Sequence, residues 1–134
     1  MRAYGSSAVL PMQDFPIAAR DAKWDAEAAE AAVRILTGAE ERPNAAYAAC
    51  FFWHDTAASE LFGSYRLPYC DVVDDRITAV PHAIFAVAAI LDGARGGTTI
   101  PKADQEKIKT VVAQWYARMA IEFDDPAIVA PWKQ

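Results

Sequence analysis

The stretch that decides the fold starts as Tyr65-Arg66-Leu67-Pro68-Tyr69-Cys70-Asp71-Val72-Val73, passes through Gly93-Ala94-Arg95-Gly96-Gly97 and ends on Trp115-Tyr116. Pro68 stops one strand. Asp71 to Val73 predicts a second strand, Asp74-Asp75-Arg76 a tight acidic turn, and Ile77 to Val80 a returning strand. Pro81 suits the first turn of a helix, where its missing N–H costs nothing. Ile84, Val87, Ala88 and Leu91 mark that helix's buried stripe, and Gly93 closes it. Pro101 opens a further helix in which Ile108, Val111, Val112, Trp115 and Met119 recur at i, i+3, i+4, i+7 and i+11. The glycine-rich loop sets how these two helices meet.

Working outward, Leu61 to Leu67 and Tyr47 to Trp53 read as the strands of an irregular hairpin joined through His54-Asp55-Thr56, with Ala45 to Ala49 open to a helical reading as well. Ala22 to Thr37 predicts a helix with Trp24, Ala28, Ala31, Ile35 and Leu36 on one stripe and Gly38 at its end. Residues 1–20 hold Gly5, Pro11 and Pro16 but no sustained period, and predict an extended arm anchored by Val9, Leu10, Phe15 and Ile17. Asp124-Asp125-Pro126 stops the last helix, and part of the tail 124–134 is expected to fold back. The fold class is therefore α+β: about three helices on a small antiparallel hairpin or sheet, with the compact domain at 21–123.

A chain of 134 residues is long enough to bury about two-thirds of its unfolded surface without a staple. Its net charge of −5 disfavours bulk nucleic-acid binding, which needs a clustered basic surface. No apolar run reaches the roughly 20 residues a bilayer needs, and the amino terminus lacks the pattern of a signal peptide. Cys50 and Cys70 have no CxxC spacing and only two histidines for company, so they read as buried thiols rather than a zinc site.

Four groups of residues invite chemistry, and each has a plainer reading. Gly93 to Gly97 lacks the Lys-Ser/Thr of a phosphate loop, so Gly93, Gly96 and Gly97 are expected to serve a tight helix–helix connection, with Arg95 capping carbonyls or pairing with a carboxylate. His54-Asp55 with Ser59 or Ser64 would form part of a triad only if a serine were activated, and neither lies in G-x-S-x-G. Asp71, Asp74 and Asp75 lack the ligand spacing of a calcium loop. Trp115-Tyr116 could stack bases, but Trp115 lies on the core stripe, with Tyr116 at its edge. No catalytic residue, metal or cofactor is assigned.

The run Cys50-Phe51-Phe52-Trp53, Ser64-Tyr65-Arg66-Leu67-Pro68, Asp71-Val72-Val73, Gly93-Ala94-Arg95-Gly96-Gly97, Ile100-Pro101 and Trp115-Tyr116-Ala117 resembles a module found in tailed-bacteriophage head-assembly genes, beside or fused to prohead proteases and capsid proteins. Phe15-Pro16-Ile17-Ala18 and Trp24-Asp25 fit the start of such a module. Tyr69-Cys70 stands where many such modules carry a histidine, and the protease's own serine and histidine motifs are not recognisable. The resemblance implies a non-enzymatic, virion-associated or head-assembly protein in the host cytoplasm or virion. Its implied partners are capsid or head proteins, or further copies of itself. Val9, Leu10, Phe15, Tyr116 and Trp132 are the candidate contact residues. The rivals are an accessory domain of a prohead peptidase and, more weakly, a nucleic-acid-binding module using Arg95, Lys102, Lys107 and Lys109.

Overall fold

The structure is a computed structural model and describes residues 8–134. It is α+β, with helices packed on two small antiparallel hairpins. The elements are α1 (Ala26–Thr37), α2 (Ala45–Ala48), β1 (Phe51–His54), β2 (Tyr65–Pro68), β3 (Cys70–Val73), β4 (Arg76–Ala79), α3 (Pro81–Leu91) and α4 (Lys102–Glu122). In the first hairpin Trp53 pairs with Arg66 and His54 with Tyr65. In the second, Cys70 pairs with Ala79 and Val73 with Arg76. Asp74 and Asp75 turn that hairpin at φ 52° and 61°, the double left-handed geometry that matches strand twist.

Tyr69 joins the two hairpins. Its N–H donates to the Cys50 carbonyl at 3.2 Å, and its carbonyl accepts from Val80 N–H at 2.9 Å. The arm then binds both. Leu10 N–H donates to Phe52 O and His54 N–H to Ala8 O, so residues 8–10 extend the first hairpin on the β1 side. Further along, Ala79 N–H donates to Pro16 O and Ala18 N–H to Ala79 O, which sets Ile17 parallel to β4. Over residues 8–18 the arm thus wraps its own domain.

The core lies between these hairpins and α3 and α4. Ile84, Val87 and Leu91 of α3 meet Ile108, Val112, Trp115 and Met119 of α4, all buried; Val111 is half-buried. Trp115 is fully enclosed and sets its ring edge-on to Tyr69 at 5.5 Å. Phe52 stacks on Tyr69 at 4.2 Å, and Tyr47, Phe51 and Tyr65 form a second aromatic cluster. The tail folds back: Ile128 and Ala130 are buried, and Arg20 donates to the Asp125 carboxylate at 2.8 Å.

Three boundaries differ from the sequence reading. α1 starts at Ala26 rather than Ala22, because the Asp25 carboxylate accepts from Ala28 N–H and caps the helix there. The expected strand from Tyr47 splits into one turn of helix, capped by Asn44 accepting from Tyr47 N–H, and the four-residue β1. The strand expected from Leu61 begins only at Tyr65, after a 3-10 turn over Phe62–Ser64. Among the described residues, the short α2 makes four α-helices where about three were expected.

Candidate functional site

The glycine-rich loop is a backbone device. Gly93 N–H donates to Ile90 O as α3 ends, Ala94–Gly96 forms a 3-10 turn, and Gly97 N–H donates back to Ala94 O. Gly93, Gly96 and Gly97 all take positive φ. Gly97, at φ 78° and ψ −145°, occupies a region that is essentially glycine's alone. A side chain there would meet nothing closer than Ile90 O at 4.0 Å, so conformation rather than space selects glycine. The side chain of Arg95 lies outside the described residues.

The histidine and serines that the triad reading would use are taken up by the fold. His54 is 1% exposed, stacked on Tyr65 at 5.0 Å with the rings 8° from parallel. Burial lowers its pKa, against an opposing hydrogen bond to the Ala8 backbone and the charge of Asp55. The hairpin register lays Tyr65 directly over this strand-end histidine. Ser64 Oγ donates to Leu61 O at 2.8 Å and Ser59 Oγ to Thr56 O at 3.2 Å. Each hydroxyl thus closes its own turn, and neither is activated by these contacts. Asp71 accepts from Val72 N–H, and among the described residues no group of three or more His, Cys, Asp or Glu is placed to hold a metal.

Both thiols are buried, and Cys70 is pushed well up in pKa by burial, then by its contacts with Cys50. Such thiols are poor nucleophiles.

The contact candidates separate. Val9 and Leu10 are buried in the chain's own core, and Phe15 is half-buried 6.5 Å from Tyr69. Tyr116 is 7% exposed, set edge-on to Phe85 at 5.5 Å, and burial raises its pKa to about 12. These side chains are already spent on intramolecular packing. Trp132 differs. It is half-buried under the Lys109 ammonium at 5.5 Å and lines a groove of about 450 Å³ with Glu106, Gln114 and Lys133.

The surface that the sequence reading placed inside lies outside. α1 turns Ala29 and Val33 inward onto β3. Its other face carries Ala28, Ala31, Ile35 and Leu36, with Ile35 67% and Leu36 41% exposed. An alanine-rich helix offers small residues on every side, so spacing alone could not choose the buried one. Near its carboxy-terminal end, the Arg34 guanidinium lies 3.7 Å over the Phe62 ring, beside the exposed Leu61. Among the described residues no helix is long and apolar enough to cross a membrane. Searches of family models, curated proteins and solved structures return no match to this chain.

Proposed function

We propose that this chain is a non-enzymatic, phage-derived head-assembly or virion-associated module that works by protein–protein contact. The observation that carries the reading is the bare apolar face of α1, coupled to a fold in which His54, Ser59, Ser64, Cys50 and Cys70 are engaged internally. A helix packed in a lone domain normally turns charge to water on its outer face, and an apolar face left bare marks an interaction site. The phage setting comes from the sequence resemblance, and with it the expected partners and location: capsid or head proteins, in the host cytoplasm or the virion.

The test is to mix the purified chain with capsid and portal proteins of a tailed phage and score co-sedimentation, with a peptidase assay alongside. Ser64→Ala should co-sediment as the parent does, because its hydroxyl serves only the local turn. Peptide cleavage by the parent chain that disappears in Ser64→Ala would replace this reading with the peptidase-linked one. Failure to bind any head protein would remove the assembly role.

A further inference from the structure

The outer face of α1 has both a hole and a projection. A hollow of about 400 Å³ lies along the helix, lined by Asp25, Glu27, Ala28 and Ala31. Ala28 and Ala31 lie one turn apart at its floor, where their small side chains leave room for a side chain from a facing helix and let two backbones approach to the short end of the usual 8–10 Å. Further along the same stripe stands Ile35, a branched side chain 67% exposed. Ile35 cannot fill the hollow of its own helix. A second copy running antiparallel can place it there.

We propose that α1 is a homodimer interface, two copies packing antiparallel about a two-fold axis near Ala31 and Ala32, with Ile35 of each seated in the Ala28–Ala31 hollow of the other. The inference rests on the contact-module reading and names a second copy as one partner. Charge selects this orientation. Asp21 and Lys23 are exposed just before α1, and Glu40, Glu41 and Arg42 are exposed just after it. Antiparallel packing brings the first group against the second, so Lys23 meets two carboxylates and Arg42 meets Asp21. Parallel packing would set Lys23 against Lys23 and Glu40-Glu41 against themselves. Antiparallel helix dipoles act in the same sense. Each contact occurs twice, because a two-fold interface is self-complementary.

A helix of 12 residues gives a face only about 18 Å long. The dimer should therefore be concentration-dependent rather than permanent, with dissociation in the micromolar range or weaker, on the order of 1 µM to 1 mM.

Sedimentation equilibrium of the purified chain across that range should show monomer and dimer in exchange. Ile35→Glu should weaken association about tenfold or more while the far-ultraviolet circular dichroism stays unchanged, since the side chain is exposed. Lys23→Glu should weaken it less, and Lys23→Glu with Glu40→Lys should recover most of that loss. Ala31→Cys should form a covalent dimer under mild oxidation, because the axis brings the two positions together. A chain that stays monomeric at the highest concentration overturns the proposal, as does a dimer indifferent to Ile35→Glu. A monomer that still co-sediments with a head protein sinks self-association and leaves the contact-module reading standing. A dimer that binds no head protein does the reverse.

Discussion

Replacing Gly97 by alanine isolates a purely conformational cost. The added Cβ would lie 4.0 Å from Ile90 O, an ordinary contact, so sterics with the rest of the fold contribute almost nothing. What remains is the backbone at φ 78°, ψ −145°, which an L side chain resists by about 1–3 kcal/mol. In a chain of this size each kcal/mol lowers the melting midpoint by about 3–4 °C, so Gly97→Ala should melt about 3–12 °C early. The mirror image of that geometry is a relaxed extended conformation. D-alanine at position 97, installed by semisynthesis, should therefore be harmless or stabilise by about 0.4–1 kcal/mol through the unfolded chain. Gly63, with ordinary φ and open space around it, is the control: Gly63→Ala should be neutral or mildly stabilising. Urea unfolding of the four proteins, followed by circular dichroism, measures all of this. Equal cost for L- and D-alanine would refute the conformational argument, and no cost for L-alanine would refute the loop geometry itself.

Trp115→Ala removes a fully buried indole and its edge contact with Tyr69, and should cost about 3–5 kcal/mol in urea unfolding. Deleting residues 1–11 strips Val9 and Leu10 from the core together with their backbone bonds to β1. The lost burial of two apolar side chains is joined by the loss of the β1 backbone bonds that residues 8–10 satisfy, so the truncated chain should be less stable in urea and its β1 amides should exchange faster. His54 has a folded pKa below its ordinary value of 6.5, so the unfolded chain binds the proton more readily. The stability it supplies is complete above about pH 6.5 and falls as the pH drops toward the folded pKa; urea midpoints between pH 7.5 and 5 should show that slope, and His54→Phe should flatten it.

What the sequence could disclose depended on how distinct its side chains were. α4 was readable because Ile108, Val112, Trp115 and Met119 contrast with lysines and glutamates on the other side, and the real helix buries those same residues. The second hairpin was readable from Asp74-Asp75 followed by Pro81, two local constraints that need no tertiary help. α1 was found as a helix but given the wrong inner face, since alanine at 26, 28, 29, 31 and 32 makes every face nearly alike. The partner that decides between them, β3, lies more than thirty positions away in the chain. Tyr47 to Trp53 failed for a related reason: a short apolar run suits helix or strand equally, and Asn44 capping tipped its first half. The burial of His54 and of Val9 and Leu10 depends on β1, β2 and the arm coming together, a product of assembly that no local pattern encodes.

The arm's double attachment has a consequence for synthesis on the ribosome. Residues 8–10 and 16–18 emerge first, yet the strands that receive them, β1 and β4, are made much later; Ala79 follows Ile17 by about sixty residues. At elongation rates of about 5–20 residues per second, Val9 and Leu10 wait about 2–9 s and Ile17 about 3–12 s in the nascent chain before the strands that receive them are made. The arm is thus made well before either of the strands that hold it. Its apolar side chains are the natural targets for a chaperone at the tunnel exit during that interval, and the closing of both hairpins by the arm is the step that ends the exposure.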